Sequence, residues 1–522
     1  MEKFAVIFGS NFRLALAELD MVLRTEQFKG KIIDYSTTSA IVEFETSEKL
    51  SEKLGNMMVQ LGMSQKIIII KEFIDRRTFY DGFPESTDER KSEIFTGRDK
   101  IKAILRDVLF KTFGDVKGKP IFVANSIYPE DFKTSYYKVL INHFLIFCNK
   151  FMLSYLKERG AKNVSYYNYP EEQIKKSTLH PLFPHHFFAY KLFEQNRKEF
   201  VYCLTEEGCY VGYTHTVADS NFYKELDEHR PYVNFKRSIP PKIAKALINF
   251  LGYEKEGQGR TLLDPFCGSG TILMFAKLLG YDVFGADVGE EEVYGTAENI
   301  KYLYEVINKP YKDEVIEKKI IKTDIKNINQ CFKNEFFDAI ISEPILLPFY
   351  TELPKFNEIA KIMDKEVLPT YKKFIEQAYK LLKKGGKCVF TSPTVLTIDG
   401  PKISIPVEKL AKKVGFRLIP IFKYDRIVQK SSKALSIRDW KSKAVLDTQT
   451  KYIYREFIIL EKPKGDQTQN KQKKQENKKD AKQNREQESY EQEHQKQEEL
   501  EISKSKGEDL SIETPFNEED EL

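Results

Sequence analysis

The segment at residues 262–271 constrains the fold more than any other part of the chain. Its sequence is Leu-Leu-Asp-Pro-Phe-Cys-Gly-Ser-Gly-Thr, so an apolar run ends in an acid, passes two close glycines and opens an amphipathic run. A strand that stops at a glycine-rich turn before a helix exposes backbone N–H groups to a ligand. The glycines, Gly268 and Gly270, also let the backbone approach that ligand closely. The segment therefore predicts a strand–loop–helix unit with a binding loop.

The sequence downstream predicts that this unit belongs to a larger sheet. Apolar runs of strand length alternate with helical patterns after residue 261. Strands are expected at residues 261–263, 282–286, 337–341, 387–390, 417–421 and 453–460. Such alternation indicates a doubly wound, Rossmann-like α/β domain, here over residues 227–463, with an antiparallel edge at its C-terminal end.

The N-terminal half predicts an α+β region. Residues 1–75 show the order β-α-β-β-α-β of a ferredoxin-like domain. Residues 75–99 are polar and are broken by Gly82 and Pro84, so they are expected to form a linker or surface loop. Residues 98–218 then combine a long, aromatic-rich helix with strands and a hairpin.

Charge is unevenly distributed along the chain. Of 83 basic and 78 acidic residues, 11 and 17 respectively lie at residues 464–522. The remainder therefore carries a net charge of about +11, which suits a polyanion such as a nucleic acid but is also found in ordinary basic proteins. Residues 464–522 are rich in Lys, Gln, Glu and Asn and cannot bury enough apolar surface to offset their ordering entropy. They are expected to form a disordered tail.

The cysteines and the apolar runs exclude several classes of protein. None of the six cysteines forms a Cys-x-x-Cys pair, so buried, reduced thiols are expected, without a metal site or a disulfide framework. No apolar stretch is expected to reach the roughly 20 residues that span a bilayer, and no signal peptide is expected. These features predict a cytoplasmic protein without a membrane partner.

Three acids that follow expected strands are candidate cofactor ligands. Asp264 precedes the glycine loop, and Asp287 closes the next strand, where an acid commonly binds ribose hydroxyls. Asp324 follows an Ile-rich run that is taken as the third strand of the sheet, where it would face an adenine amino group. A dinucleotide fingerprint would have a glycine near Leu273, and the Gly-Lys-Ser/Thr of a phosphate loop is also missing. The loop therefore favours a cofactor without a pyrophosphate. The alternatives are a tight turn without a ligand and ordinary surface acids.

The glycine loop and several other stretches carry a family resemblance. The sequence Asp-Pro-Phe-Cys-Gly-Ser-Gly-Thr resembles the S-adenosylmethionine (SAM) loop of methyltransferases that modify exocyclic amino groups of nucleic-acid bases. Up to about residue 463 the chain resembles the THUMP-domain tRNA guanosine N2-methyltransferases, and above all the tRNA guanine-10 N2-methyltransferase group of archaea and eukaryotes. The matching stretches are residues 8–11, 16–19, 156–160, 179–184, 211–214, 230–231, 240–248, 264–271 and 454–458.

The resemblance implies a SAM-dependent methyltransferase that acts on the exocyclic N2 amine of a guanosine in tRNA. It implies a THUMP-like RNA-binding domain at residues 98–218 before the methyltransferase domain. It also implies tRNA as the partner, and a small zinc-containing activator subunit is a further candidate partner because some relatives work with one. The implied SAM-binding residues are Asp264, Phe266, Gly268, Gly270, Thr271, Asp287 and Asp324.

The loop after the strand at residues 337–341 is expected to hold the reacting base. The family's catalytic loop usually has Asp or Asn, then Pro-Pro, then an aromatic residue, whereas this chain has Glu-Pro-Ile-Leu at residues 343–346. Glu343 and Pro344 would provide a carboxylate and a carbonyl that accept the amine protons, and Phe349 or Tyr350 would stack on the base. An ordinary strand-end loop is the alternative for this segment.

Two other functions stay open at this stage. The departure from the family's catalytic loop is compatible with an RNA-binding homologue that acts on a different amine or that has lost methyl transfer. The glycine loop is shared with DNA amino-methyltransferases that act on adenine or cytosine, although the N-terminal half resembles an RNA-binding unit.

Overall fold

The chain divides into two units. The computed structural model describes residues 2–45, 49–85, 91–170, 172, 181–234, 238–253, 257, 259–345, 347, 350–400, 402–422, 426–432, 434–437, 446–448 and 452–465. Met1–Pro463 form one compact unit and Lys464–Leu522 the other. The structure does not describe the second unit beyond residue 465. The predicted disordered tail therefore lies outside the described residues.

The N-terminal strands form one continuous eight-stranded sheet. Its order is β2-β3-β1-β4-β8-β7-β5-β6, and β4 pairs antiparallel with β8. The strands are β1 (Glu2–Phe8), β2 (Lys31–Tyr35), β3 (Ser39–Phe44), β4 (Ser64–Asp75), β5 (Pro120–Tyr128), β6 (Asn163–Tyr166), β7 (Arg197–Leu204) and β8 (Gly208–Val217). The β-α-β-β-α-β order of residues 1–75 is confirmed. These residues share their sheet with residues 98–218, and the domain boundaries stay predictions.

The helices cover the faces of this sheet and of a second one. Those within the described residues are α1 (Phe12–Leu23), α2 (Leu50–Gln60), α3 (Arg76–Gly82), α4 (Lys91–Phe113), α5 (Tyr136–Glu158), α6 (Pro184–Ala189), α7 (Ser220–Glu228), α8 (Pro241–Asn249), α9 (Thr271–Leu278), α10 (Glu290–Val306), α11 (Asp313–Glu317), α12 (Ile328–Cys331), α13 (Phe356–Ile362), α14 (Leu368–Leu381) and α15 (Val407–Val414). A π-helical segment, Met363–Val367, joins α13 to α14.

The expectation of a loop at residues 75–99 is wrong, because α3 and the start of α4 lie there. Asp75 caps α3, since its side-chain oxygen accepts a hydrogen bond from the N–H of Thr78 at 2.9 Å. The two helices cross closely at Gly82 and Gly97, where a Cβ on Gly97 would lie 2.5 Å from the nitrogen of Gly82. The glycine that suggested a helix break is therefore a packing contact.

Helix α5 corrects the expectation about apolar length. It has 23 residues and a mean hydropathy of 1.4 in its most apolar window, so by length and composition alone it could cross a membrane. One face of α5 packs in the core beside the first sheet, where Phe144, Cys148 and Met152 are fully buried. Core helices of globular folds pass the same test of length and composition.

The second sheet has nine strands and carries the glycine loop. The order of its main path is β11-β10-β9-β12-β13-β17-β15, with β14 on β13 and β16 on β17. The strands are β9 (Thr261–Asp264), β10 (Asp282–Asp287), β11 (Ile320–Lys322), β12 (Phe337–Ser342), β13 (Leu382–Val395), β14 (Ile403–Ser404), β15 (Arg417–Leu418), β16 (Leu446–Thr448) and β17 (Ile453–Glu461). Strands β9 to β13 are parallel, which confirms the doubly wound α/β domain.

The antiparallel strand lies one position further in than expected. Strand β17 pairs antiparallel with both β13 and β15, so the short β15 and not β17 ends the main path of the sheet. Most of β17 is buried, including Phe457 and Leu460 at 0% exposure. Such an apolar strand is more stable when it is paired on both sides than at an exposed edge.

The two sheets share a continuous apolar core through their helices. Leu16 of α1, Leu247 of α8 and Leu273 of α9 are each 0% exposed and belong to one buried cluster. The helices of the N-terminal sheet therefore pack directly on those that flank the glycine loop. This packing fixes the base of the loop from behind.

Candidate active site

The glycine loop at residues 264–271 is a tight turn that needs both of its glycines. The N–H of Cys267 donates to the carbonyl of Ala286 at 3.0 Å, and the N–H of Gly270 donates to the carbonyl of Cys267 at 2.7 Å. Gly268 and Gly270 have φ angles of +52° and +76°. A Cβ on Gly270 would also lie 2.9 Å from Cγ2 of Thr296. A side chain is thus disfavoured at these positions on conformational grounds and, at Gly270, on steric grounds as well.

Helix α10 holds the loop from behind through two polar side chains that the sequence analysis missed. The hydroxyl of Thr296 donates to the carbonyl of Gly268 at 2.7 Å, and the amide of Asn299 donates to the carbonyl of Ser269 at 2.8 Å. Both side chains are fully buried. The only signal in the sequence is a pair of polar residues, three positions apart, among the apolar residues of an amphipathic helix.

Arg230 is a further buried contact of the loop that the sequence analysis missed. Its Nη1 donates to the hydroxyl of Thr271 at 2.7 Å, and its Nη2 lies 3.5 Å from a carboxylate oxygen of Asp227. The Arg230 side chain is fully buried, so it supports the first turn of α9 and does not face solvent. Thr271 is likewise buried and acts as part of this support.

Asp287 ties the loop to the end of β10. Its two carboxylate oxygens accept hydrogen bonds from the N–H of Gly268 at 3.0 Å and from the N–H of Gly289 at 3.1 Å. Each oxygen retains acceptor capacity beyond these bonds. Asp324 lies in the turn after β11 and accepts a hydrogen bond from the N–H of Lys326 at 2.7 Å. Both acids are partly exposed, as ligands of a cofactor would need to be.

Asp264 joins the loop to the neighbouring strand β12. It is 1% exposed, and its Oδ1 accepts hydrogen bonds from the hydroxyl of Ser342 at 2.6 Å and from the N–H of Phe266 at 3.1 Å. Burial raises the pKa of Asp264 to about 7; these two hydrogen bonds oppose the rise, and the charges of Asp287 and Glu343 add to it. Asp264 is therefore a carboxyl group that titrates near neutral pH.

Phe266 is the aromatic residue of the loop. Its ring is half-buried and packs edge-on against Phe374 of α14, with 5.7 Å between the ring centroids.

Glu343 follows β12 directly and is paired with Arg455 of β17. Arg455 Nε lies 2.6 Å from Oε1 and Nη2 lies 3.1 Å from Oε2, while the hydroxyl of Thr391 donates to Oε1 at 3.1 Å. The side chains of Glu343 and Arg455 are only 11% and 7% exposed. Pro344 is buried beside them. No local pattern in the sequence predicts this pairing, because 112 residues separate its two partners.

Phe349 and Tyr350 are the two residues predicted to stack on the base. Phe349 lies outside the described residues. Tyr350 is half-buried against the apolar side chains beneath α14, and its buried hydroxyl has no hydrogen-bond partner among the described residues. The stacking role of either residue stays a prediction.

The acidic side chains at this edge of the sheet fit SAM. Parallel strands bring Asp264, Asp287, Asp324 and Glu343 to their shared carboxyl ends. Carboxylates suit ribose hydroxyls, amino groups and a sulfonium cation, and they disfavour the phosphates of a dinucleotide. The individual role of each acid stays a prediction.

The burial of the cysteines largely agrees with the expectation of buried, reduced thiols. Cys148, Cys203, Cys209, Cys267 and Cys388 are buried, whereas Cys331 is exposed, and all six are free thiols. Burial raises the pKa of Cys148 and of Cys203 to about 12, so these thiols are unreactive.

Two protein families match the chain. Residues 230–394 match the family described as "RMKL-like, methyltransferase domain", which spans the glycine loop and the Glu343 segment. Residues 138–299 match a family described as "DNA methylase". The two matches overlap at the glycine loop.

Three curated relatives are named tRNA (guanine(10)-N2)-dimethyltransferase. The chain is 27% identical over 183 residues to the tRNA (guanine(10)-N2)-dimethyltransferase of Methanothermobacter thermautotrophicus, 30% over 210 residues to that of Pyrococcus abyssi and 32% over 196 residues to that of Methanocaldococcus jannaschii. These segments cover 35%, 39% and 38% of this chain and 46%, 51% and 49% of those proteins. The chain thus spans about half the length of the curated relatives it matches.

Among solved structures, that of TrmN from Thermus thermophilus aligns with most of the chain. It is 13% identical, has a TM-score of 0.44, and the match covers 88% of this chain and 99% of that one. Residues 230–394 match a methyltransferase domain, and the acids around the loop fit SAM as its cofactor. Over these matched segments the chain is similar to enzymes named tRNA (guanine(10)-N2)-dimethyltransferase.

Proposed function

We propose that the protein is a SAM-dependent methyltransferase that modifies the exocyclic N2 amine of a guanosine in tRNA. The observation that carries this proposal is the glycine loop with a row of carboxylates at the carboxyl ends of β9 to β12. Sequence similarity to enzymes named tRNA (guanine(10)-N2)-dimethyltransferase supports the substrate. By the same relation, guanine 10 is the proposed position and dimethylation the proposed product.

The loop side of the site would hold the cofactor. Gly268 and Gly270 present the backbone, and Asp287 accepts hydrogen bonds from the ribose hydroxyls with the capacity that its two backbone bonds leave. Asp324 accepts a hydrogen bond from the adenine amino group, and Phe266 packs against the ligand. Asp264 and Thr271 act from beneath, because both are buried. Bound SAM supplies a methyl group activated by its sulfonium.

The β12 side of the site would hold the amine. The lone pair of an exocyclic nitrogen is delocalised into the ring and is therefore a weak nucleophile. The carboxylate of Glu343 accepts one N–H of the amine, and a carbonyl held in place by Pro344 accepts the other. These bonds draw the nitrogen toward tetrahedral geometry, and the Glu343 carboxylate takes up the proton that leaves after transfer.

The N-terminal sheet would bind the tRNA, with residues 98–218 as a THUMP-like domain. Double-stranded RNA is recognised through its shape, phosphates and 2′-hydroxyls, which suits a broad basic surface. Residues 98–218 contain 18 basic and 12 acidic residues, a net charge of +6 that supports this role.

An aromatic ladder on α5 supports contact with RNA. The rings of Phe147 and Phe151 and those of Phe151 and Tyr155 are near-parallel, at 6.3 and 5.9 Å. The guanidinium groups of Arg106 and Arg159 lie over Phe151 and Tyr155 at 5.8 and 5.9 Å. Partly exposed rings with cations above them can stack on unpaired bases.

The remaining partners and the location belong to the same proposal. We propose a cytoplasmic enzyme without a membrane partner, and a small zinc-containing subunit as an activator. Purification of the tagged protein from its native cells, with zinc analysis of any co-purifying small subunit, tests the activator. Recovery of the protein alone with full activity would contradict it.

Nucleoside analysis tests the activity. The purified protein is incubated with isotopically labelled SAM and total tRNA from cells that lack it, and the tRNA is digested to nucleosides. Labelled N2-methylguanosine or N2,N2-dimethylguanosine is expected, with no label in duplex DNA. Unchanged tRNA nucleosides would contradict the proposal, and labelled DNA would favour an amino-methyltransferase acting on DNA.

The Glu343–Arg455 pair favours one alternative function. A carboxylate that is already paired is a weaker acceptor for a substrate amine, as in a non-catalytic RNA-binding homologue. SAM binding by calorimetry without transfer to any RNA would identify that alternative.

A further inference from the structure

We infer that Arg455 is a positioning residue that orients the Glu343 carboxylate so that Oε2 faces the target amine. This inference rests on the proposed function, because Glu343 is the amine acceptor in that proposal. Arg455 lies on β17, a strand outside the loops that bind cofactor and substrate.

The hydrogen bonds around the carboxylate are asymmetric. Oε1 accepts two, from Arg455 Nε at 2.6 Å and from the Thr391 hydroxyl at 3.1 Å. Oε2 accepts one, from Arg455 Nη2 at 3.1 Å. A carboxylate oxygen has two lone pairs, so these bonds occupy Oε1 and leave one acceptor position on Oε2. That position is the place for an amine N–H.

The fork of the guanidinium fixes the plane of the carboxylate. Two parallel bonds from one planar group define both the position and the rotation of the carboxylate, which a single bond does not do. The three side chains stand on neighbouring strands, since Glu343 follows β12, Thr391 lies on β13 and Arg455 lies on β17. The arrangement is therefore as rigid as the sheet itself.

This rigidity compensates for the departure at Glu343, where the family's catalytic loop usually has Asp or Asn. A Glu side chain has one more rotatable bond than Asp, and misplacement by about 1 Å can cost about a hundredfold in rate. The loop also departs from the family at Ile345, which replaces a second proline and is 51% exposed. The hydroxyl of Tyr371 donates its single proton to the carbonyl of Thr391 at 2.9 Å and lies 3.4 Å from the carbonyl of Ile345.

The Arg455→Lys variant tests the inference. Lysine keeps the charge but supplies no planar fork, so Glu343 stays paired while its orientation is freed. The expected result is a fall in kcat of about 10- to 100-fold, with the Kd for SAM and the KM for tRNA unchanged. Arg417→Lys is the matched control, because Arg417 pairs with Glu461 of the same strand, is 67% exposed and lies in no proposed site.

A double-mutant cycle separates positioning from general support of the fold. Glu343→Asp withdraws the carboxylate from the fork, so the double variant with Arg455→Lys should be scarcely slower than Glu343→Asp alone. Additive losses would overturn the inference, as would an unchanged kcat in Arg455→Lys. If Arg455→Lys does not bind SAM, Thr391→Val carries the test, with a fall in kcat of several fold expected and an unchanged kcat contradicting the inference. A wild-type protein that binds SAM and transfers no methyl group would overturn the proposed function and this inference together.

Discussion

Asp264 links the glycine loop to the strand that carries the proposed amine acceptor. Its carboxyl group is buried, bonded to Ser342 and close to the charges of Asp287 and Glu343, and its pKa is raised to about 7. At neutral pH a large fraction of Asp264 is therefore protonated. A neutral carboxyl at this place avoids a third full negative charge between two other acids.

The raised pKa of Asp264 predicts a pH dependence of stability. Between the ordinary value of 3.8 and about 7, the folded state holds a proton that the unfolded state has lost. The contribution of this group to folding is therefore largest at low pH and decreases as the pH rises to about 7, by an amount on the order of 4 kcal/mol.

Asp264→Asn removes this titration and keeps an oxygen for the Ser342 bond. Urea unfolding between pH 4.5 and 7.5 should therefore show a flatter profile for the variant than for the wild type. Parallel profiles for the two proteins would contradict the assignment of the titration to Asp264.

The positions of site residues could be predicted from the sequence only where the backbone pattern determines them, and their roles stay predictions. Asp264 and Asp287 follow strands and the glycines follow Asp264, so the periodicity and the spacing were sufficient to bring them together. Arg455 and Asn299 were not predicted, because their partners are distant in sequence and no local pattern marks them. The Glu343 position was predicted, but its pairing was not.

At the scale of elements, the crossing of α3 and α4 depends on two glycines. A Cβ on Gly97 would lie 2.5 Å from the nitrogen and 2.9 Å from the Cα of Gly82. These are backbone atoms, which cannot rotate away as a side chain can. The helices would have to separate, at the expense of the burial of Phe79 and Phe83.

Gly97→Ala should therefore destabilise the fold by about 1–3 kcal/mol, measured by the urea midpoint. Gly55→Ala is the matched control, since Gly55 lies within α2 and a Cβ there would meet no atom within 4 Å. That variant should be stabilised by about 0.5–1 kcal/mol, because alanine favours a helix over glycine. A stable Gly97→Ala protein would show that the helices do not cross as described.

The elements that the sequence predicted well are those with a regular period. Strands β9, β10, β12, β15 and β17 were placed to within a few residues, and β13 is longer than expected. No bounds were predicted for the short strands β11, β14 and β16. Helix α3 was missed because it has only seven residues and ends at Gly82, so Gly82 and Pro84 marked the whole segment as a loop. The place of β17 within the sheet depended on which strand it pairs with, which periodicity does not contain.

At the scale of the whole Met1–Pro463 unit, a segment after β15 returns to the N-terminal sheet. Within residues 426–437, Lys430 pairs with Asp34, and the carbonyl of Leu435 accepts a hydrogen bond from the Tyr35 hydroxyl at 2.6 Å. Asp34 also accepts a hydrogen bond from Thr205 at 2.7 Å. These contacts link the segment after β15 to the sheet that is proposed to bind tRNA.

Lys430→Met should destabilise this unit by about 3 kcal/mol, because it leaves a buried carboxylate without its cation. Lys430 and Asp34 are each 2% exposed. Lys412→Met is the matched control, since Lys412 pairs with Glu408 at a surface site where its side chain is 70% exposed. The control should change stability by less than about 0.5 kcal/mol in urea unfolding. Equal effects of the two substitutions would show that the buried pair does not fasten the sheets.

Calorimetric titration of the purified protein with SAM tests the central claim most directly, because every other proposal depends on a glycine loop that binds this donor. The account predicts saturable one-to-one binding by the wild type and by Gly114→Ala, a glycine with a φ of +61° and open space around it, remote from the loop in sequence. It predicts strongly weakened binding by Gly270→Ala, whose Cβ would collide with Thr296. Absence of binding by the wild type, or equal affinity in Gly270→Ala, would contradict the account.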